Sequence, residues 1–355
     1  MHAAVAELLS PPVQVRALAP GEESRWDAFV ARHPAATVYH RAAWAGLVRD
    51  LFGHETYHLY AEDSAGEVRG VLPLVRLRSR LFGDYLVSVP YVNYGGVVAA
   101  PPVIAAELLD EACRTADLLG VSHVELRHTA PLEGDWPVRT DKVTMVRALP
   151  GSAEELWKAL GGKLRAQVKR PQREGATVER GGAGLLPDFY RVFAENMRDL
   201  GTPVYPIEFF QAIAGTLPDA VEVVVVRGKG EPAAAGFLLA NGNTLEIPWA
   251  SSLRRHNPIG VNMLLYWSAL EGAVEKGFAA FDFGRSTREG GTYRFKRQWG
   301  AEERPLYWHY WLRPGVPLPQ LNPHNPKYAL AIKVWQRLPL AVANTLGPHL
   351  VKNLP

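Results

Sequence analysis

The chain has 355 residues and a single cysteine, Cys113. One thiol excludes an internal disulfide and gives no basis for a cysteine-ligated metal site. It falls in an apolar helical pattern and reads as core filling. No stretch reaches the ~20 consecutive apolar residues that span a bilayer. The N-terminal MHAAVAELLSPPVQV lacks the basic start and long apolar run of a secretion signal. The expectation is therefore a soluble cytoplasmic protein. An excess of one charge is also missing. The formal net charge of +3 is too weak for a dedicated DNA binder, so no DNA partner is expected. Any polyanion has to be met by a local patch. Neither a G-x-S-x-G elbow nor a Walker loop occurs.

Apolar residues make up 47% of the chain, enough for sizeable cores, and the length fits roughly two domains. Helical patterns run from Glu22 to Arg32 and from Arg41 to Leu51. Strand-like segments follow at Thr56–Ala61, Val68–Arg76 and Leu86–Val98. A helix opens at Pro101-Pro102 and stops at Gly120, and strands at Val121–Arg127 and Lys142–Ala148 come next. The second half repeats this order. Ser152 starts a helix with Glu155 as its capping partner. Helices at Leu185–Asp199 and Ile207–Leu217 precede strands at Val221–Arg227, Ala234–Ala240 and Leu245–Ala250. A long helix, Pro258–Lys276, leads to strands at Ala279–Phe283 and Leu306–Leu312. The fold class is α/β (α+β), with mixed sheets flanked by helices. The repeated order points to a duplicated unit, with domains at 13–150 and 151–315 and a Pro-rich tail at 316–355. A piece of that tail, Tyr328–Leu338, shows a Trp and Leu face with Lys333 and Arg337. It would either rest on a membrane surface or pack across the domain junction.

His54-Glu55-Thr56-Tyr57-His58 matches the H-E-x-x-H zinc signature by letter. That signature needs a helix, whereas the alternation here suits a strand, on which the two histidines would stand about 13 Å apart. No metal site is expected. Asp282-Phe283-Gly284 spells the kinase magnesium triplet without the other kinase motifs in order. Lys163–Arg173 (KLRAQVKRPQR) holds five cations and no acid, with Pro171 expected to kink or end its helix. Runs of this kind are usually solvated faces, although an uncompensated one also suits phosphate. Arg254, Arg255, His256 and Asn257 stand just before a long helix, where free N–H groups and the positive dipole end favour anions.

The densest segment is Phe281–Gly300, FDFGRSTREGGTYRFKRQWG. It reads as an apolar strand followed by a flexible Gly-rich loop carrying Arg285, Arg288, Arg294, Lys296 and Arg297. A cationic loop at the end of a buried strand is suited to hold a phosphate or carboxylate.

Together with NMRDLGTPVYP (Asn196–Pro206) and SLRRHNPIGVNMLLYWSALEGA (Ser252–Ala273), this segment makes the chain resemble the FemAB-like family. These are peptidoglycan aminoacyltransferases built from two GNAT domains. The chain is most similar to FemAB-related proteins associated with exosortase/PEP-CTERM and exopolysaccharide systems. The resemblance covers about residues 13 to 315. It implies two tandem GNAT-like acyltransferase domains and transfer of an aminoacyl group from aminoacyl-tRNA. The implied acceptor is an amine or hydroxyl of a lipid-linked or nucleotide-linked cell-envelope or exopolysaccharide precursor. It implies no tightly bound cofactor, only a donor co-substrate, aminoacyl-tRNA or acyl-CoA. It admits peripheral contact with the inner membrane. The family's Phe-Lys motif matches Phe295-Lys296 and carries its role in serving the donor ester to Lys296.

The sequence departs from the pattern in two respects. It lacks the long helical hairpin of some members, and it lacks a Q/R-x-x-G-x-G/A pyrophosphate loop, whose place is taken by Arg254–Gly260. In the expected site, Lys296 stabilises the oxyanion and Asp282 is a candidate base. Arg285, Arg294 and Arg254 hold phosphates or carboxylates, Tyr293 and Trp299 supply apolar walls, and Asn257, Asn262 and Tyr205 complete the substrate contacts. Two other readings stay open: an acyl-CoA-dependent N- or O-acyltransferase acting on exopolysaccharide sugars, and a non-catalytic scaffold of the export machinery.

Overall fold

The computed structural model describes residues 12–80, 82–319 and 326–354. The reading of the extreme N-terminus (residues 1–11) lies outside them. The chain divides into two compact units. One takes in the described residues up to Asp141 with Pro305–Pro319, and the other Lys142–Arg304 with the described residues up to Lys352.

The first unit begins with β1 (Val13–Ala17), α1 (Glu23–Arg32), α2 (Ala43–Phe52), β2 (Glu55–Thr56) and β3 (Leu59–Asp63). The expected strand 68–76 is two strands, β4 (Val68–Leu72) and β5 (Val75–Ser79), which join different sheets. Pro73 lies between them and has no N–H to continue a ladder. The expected strand 86–98 is likewise broken into β6 (Gly83–Val87) and β7 (Val98–Ala99). Pro90 and the left-handed Tyr91 (φ 71°) turn the chain between them. Helix α3 (Ile104–Leu119) ends at left-handed Gly120. Its buried stripe Ile104, Leu108, Ala112 and Ala116 recurs every four residues. It packs so closely on β4 that a Cβ at Gly70 would come within 2.8 Å of Leu108. Cys113 lies beside that stripe and is only half-buried, so it is not core filling. The last strands before residue 142 are β8 (His123–His128) and β9 (Val138–Arg139). His54 bonds Tyr91 and His58 the Leu74 carbonyl, so the zinc-like pair serves two separate structural contacts.

The second unit is built on a seven-stranded sheet. It opens with β10 (Lys142–Ala148), then α4 (Ala153–Ala159), whose cap Ser152 accepts from the Glu155 N–H at 3.2 Å. Helix α5 (Gly162–Arg173) runs through Pro171 rather than breaking there, because the proline sits in its last turn. The remaining elements are β11 (Thr177–Gly181), α6 (Leu186–Leu200), α7 (Ile207–Thr216), β12 (Val221–Gly228), β13 (Glu231–Asn241), β14 (Thr244–Ser252), α8 (Val261–Glu275), β15 (Ala280–Thr287), α9 (Gly291–Arg297) and β16 (Glu302–Pro305). The sheet order is β11-β12-β13-β14-β15-β10-β16, with a parallel pair only at β14–β15 within the registers described. Helix α8 is apolar almost all round and buried along its length, as expected of the central helix on a sheet.

Strand β17 (Tyr307–Leu312) then returns to the first unit and pairs with β8 and β9. A buried network accounts for its place. Tyr310 donates to Glu125 at 2.9 Å, Glu125 pairs with Arg127 at 2.8 Å, and Arg127 stacks on Trp308 at 4.5 Å. Strand 142–148 therefore belongs to the second sheet and strand 307–312 to the first, unlike the boundaries expected at 150 and 315. Tail helices α10 (Pro326–Trp335) and α11 (Leu340–Val351) belong to the second unit and pack on α6. Of the described tail residues, the two helices thus fall in the second unit, while those up to Pro319 and from Asn353 fall in the first.

Candidate active site

The site grows out of three irregularities at one level of the second sheet. Parallel pairing of β14 with β15 covers Thr244↔Ala280 to Glu246↔Asp282 and stops there. Beyond that point β14 stays with β13, and β15 stays with β10. Against β13, β14 carries an extra residue between Glu246 and Trp249. That bulge contains Pro248, which could not donate to a ladder. In β15, Gly284 adopts φ 76°, and the register with β10 shifts between Thr144 and Val146. Bulges re-aim strands, and here two of them coincide where the strands part.

Three buried charges meet at that parting. Glu246 and Asp282 sit side by side in register, 1% and 5% exposed. Lys296, on α9, is 6% exposed. Its ammonium donates to the carbonyls of Gly284 at 2.9 Å and Arg285 at 3.0 Å, the carbonyls that the bulge turns out of the ladder. Burial lowers the Lys296 pKa to about 8, against the attraction of Asp282 and Glu246, which raises it. Asp282 accepts through Oδ1 from the Thr144 hydroxyl at 2.6 Å and the Gly284 N–H at 2.7 Å. A buried ion costs several kcal/mol unless paired and hydrogen-bonded, and here the attraction of Asp282 and Glu246 offsets only part of the cost of burying Lys296.

Around the cluster, one side is aromatic. Tyr266 stacks on Phe283 and meets Phe295 edge-on at 4.9 Å, with Trp299 beside them. Trp299 is fully buried, so it supports α9 from behind and offers no open wall to a ligand. On the opposite sheet face, Glu246 and Trp249 share a side, because they pair with Leu239 and Phe237, two residues apart. Tyr205 is half-buried there against Phe209, Phe210 and Trp249. Asn196 of α6 donates to Ser251 at 3.0 Å, fixing that helix to the end of β14.

The expected loop after β15 is instead a tight turn at Arg288–Gly290, with Glu289 at φ 61°, followed at once by α9. Arg285 and Arg294 are exposed, and of the two Arg285 acts on the Lys296 ammonium. Tyr293 donates to Glu303 at 2.8 Å, and Arg288 pairs with the same carboxylate. These contacts tie the outer face of α9 to β16. The segment before α8 is a 3₁₀ turn, Arg254–Ile259. Its polar groups are largely committed: Arg254 donates to the Asp199 carbonyl at 2.7 Å, and Arg255 pairs with Glu195 and Glu231. His256 also contacts Glu231, and Asn257 accepts from Ser252. Asn262 is half-buried on the first turn of α8. The structure thus brings Asp282 and Lys296 together with Arg285 nearby. Arg254 and Asn257 stand apart in the turn.

Glu246 and Thr144 were not anticipated. A carboxylate inside the apolar run TLEIPWA, two residues before a proline, is the signal that marks Glu246. Thr144 in KVTMVRA carries no such mark. On α5, Leu164, Val168 and Pro171 face inward, and Lys163, Lys169, Arg170 and Arg173 are exposed. The Gln167 carbonyl lies 3.8 Å from where a Cβ at Gly260 would stand. The α5 face of Lys163, Gln167 and Arg170, spaced by three and four residues, therefore adjoins the start of α8.

Residues 162–297 match the acetyltransferase (GNAT) domain family. No curated protein matches the chain. Among solved structures, FemX is similar over 83% of this chain and 96% of its own, at 15% identity and a TM-score of 0.63. The C-terminal domain of a putative lysylphosphatidylglycerol synthetase from Agrobacterium fabrum covers 89% of this chain and 94% of its own, at 15% identity and TM-score 0.54. A tandem GNAT protein from the clavulanic acid biosynthesis pathway covers 87% and 100%, at 11% identity and TM-score 0.52. At these identities the likeness is one of fold. Residues 162–297 thus carry an acetyltransferase-type (GNAT) domain, and the chain as a whole shares its fold with FemX and with a tandem GNAT protein.

Proposed function

We propose that the protein transfers an aminoacyl group from an activated ester, of the aminoacyl-tRNA type, to an amine or hydroxyl of a cell-envelope or exopolysaccharide precursor. The observation that carries this reading is the buried cluster of Glu246, Asp282 and Lys296 at the parting of β14 and β15. The turn before α8 adds weight against a CoA donor. It is a 3₁₀ segment containing Pro258, with its arginines tied to Glu195, Asp199 and Glu231, not a glycine loop presenting N–H groups to a pyrophosphate. The exposed cations of α5 and of Arg285 and Arg294 suit a longer polyanion such as tRNA. The name of one fold neighbour, a putative lysylphosphatidylglycerol synthetase, couples an amino acid to a lipid.

In the reaction, the acceptor nitrogen or oxygen attacks the ester carbonyl. A bond to the acceptor forms, the bond to the donor's ribose oxygen breaks, and that oxygen leaves with the proton the acceptor releases. Negative charge on the carbonyl oxygen is met by the Lys296 ammonium, held in place by the two main-chain carbonyls in a water-poor setting. Asp282 uses one oxygen on Thr144 and Gly284, which suits it to balancing and orienting Lys296 more than to removing a proton. Proximity carries much of the remaining rate.

Acyl-CoA-dependent transfer to a sugar is the second reading, favoured by the match to the acetyltransferase domain. Turnover assays with charged tRNA, uncharged tRNA and acetyl-CoA separate the two. Mass spectrometry of envelope precursors from cells with and without the protein identifies the acyl group and the acceptor together. Aminoacylated precursor that disappears with the protein supports the proposal. An acetylated sugar made only with CoA overturns it, and silence with every donor points to a scaffold.

A further inference from the structure

The tail helices carry an apolar surface that the rest of the unit leaves uncovered. Helix α11, LAVANTLGPHLV, has no charged residue and is apolar on nearly every side. Only one stripe is used: Ala343, Gly347 and Val351 are buried. The seat on the segment that follows α6 is close, since a Cβ at Gly347 would lie 2.9 Å from the Val204 nitrogen. A second stripe, Val342, Leu346 and Leu350, repeats every four residues and faces outward. Helix α10 behaves alike. Ile332 packs against Gly201, and the indole nitrogen of Trp335 is enclosed. The tryptophan therefore points into the unit, and the outward pair is Leu330 and Val334. These five side chains are 38% to 67% exposed and make up more than half of the large apolar side chains left exposed among the described residues. Singly exposed apolar residues need no explanation, but a stripe of three on one helix and a pair on the helix before it do.

Charge selects the occupant. Residues 314–355 contain Lys327, Lys333, Arg337 and Lys352 and no aspartate or glutamate. Lys333 and Arg337 are exposed beside the Leu330 and Val334 stripe. No helix among the described residues is long and apolar enough to cross a membrane. Short helices with an apolar face and a purely basic border lie in the plane of an interface, with each basic residue adding about fivefold to binding of an anionic surface.

We propose that α10 and α11 form a docking surface for an anionic lipid bilayer. Val342, Leu346, Leu350, Leu330 and Val334 enter the acyl boundary, and Lys333, Arg337 and Lys352 meet the headgroups. The inference stands whether or not the acceptor is lipid-linked, since it uses none of the residues of the transfer site. It makes the protein peripheral, with the second unit held against the bilayer through α6.

The test is flotation of the full chain with phosphatidylcholine vesicles and with vesicles in which phosphatidylglycerol replaces part of that lipid. Binding to the anionic vesicles, weakening as salt rises, is expected. Val342→Glu with Leu346→Glu should lower it at least ~10-fold with an unchanged melting temperature, because both side chains already face outward. Should that variant fold poorly, Lys333→Gln with Arg337→Gln gives the second measurement: weaker binding to anionic vesicles and a shallower salt dependence. Equal binding to both vesicle types, or none to either, overturns the proposal. So does a stable dimer in light scattering that the glutamate variant dissolves, for a second copy then covers the stripe.

Discussion

At the scale of single residues, Lys296 decides most. Its ammonium is buried, bonded to two carbonyls and attracted by Asp282 and Glu246, so removing it takes an opposite charge away from both carboxylates. Lys296→Met should therefore cost about 3–5 kcal/mol of stability and roughly 10²–10³ in turnover. Adding Glu246→Gln should restore part of the melting temperature and none of the turnover. A double variant as active as the unaltered chain would exclude Lys296 from the chemistry. The pH dependence separates the two roles further. The Lys296 pKa is lowered to about 8 from an ordinary 10.5. For a depressed pKa, the stability supplied by the neutral form is complete above 10.5 and lost as pH falls through about 8. Catalysis needs the opposite, charged form, so kcat/KM should decline as pH rises through about 8 while this residue's contribution to stability grows. Profiles of rate and of melting temperature that move together would contradict this assignment.

At the scale of elements, the site depends on strands being bent at the right residue. Gly284 holds a left-handed φ between Asp282, whose carboxylate accepts its N–H, and the carbonyls that Lys296 binds. Gly284→Ala should cost at least ~1 kcal/mol from backbone strain alone and should lower turnover more than Tm, because the cluster is displaced with the strand. Thermal melts compared with initial rates on one preparation check it. Gly347→Val drives a side chain into the Val204 main chain and should release α11 from α6. Limited proteolysis is expected to cut the tail first, with transfer to a small soluble acceptor retained. Much of this level was legible. Strand 142–148 and the start of helix 207 fall where periodicity and punctuation put them. Helix α9 was not legible, because its inward position is a lysine, which hides the apolar face formed by Phe295 and Trp299. The divergence of β14 and β15 was equally hidden. A bulge is one extra residue counted against a partner strand, and the partner is not written in the sequence.

At the scale of the whole chain, the two units carry different ionisable burdens. In the first unit, burial holds His40 and His58 near pKa 4 and His128 near 3, below their ordinary 6.5. Each lowered pKa supplies stability that is present above 6.5 and lost as pH falls toward the folded value. Acidification from pH 7 to 5 should thus remove up to ~2 kcal/mol per histidine from the first unit. Calorimetry should show a transition moving to lower temperature as pH falls, and His128→Asn should blunt that movement. The groups facing His128 are His309, His40, the Val97 N–H and the Leu126 main chain; the last favours protonation, but none is an anion.

The sequence by itself determined that the chain is α/β, that the element order repeats, and which segment is densest in cations. Those properties reside in local periodicity, in punctuation by glycine and proline, and in the density of cations near residue 296. Tertiary structure alone decided that β10 joins the seven-stranded sheet and β17 the six-stranded one, and that Glu246 joins Asp282 and Lys296. It also turned Trp335 inward and five apolar tail residues outward. Each of these is set by which distant strand or helix a segment meets, and pairing between residues far apart in the chain leaves no period in the residues themselves.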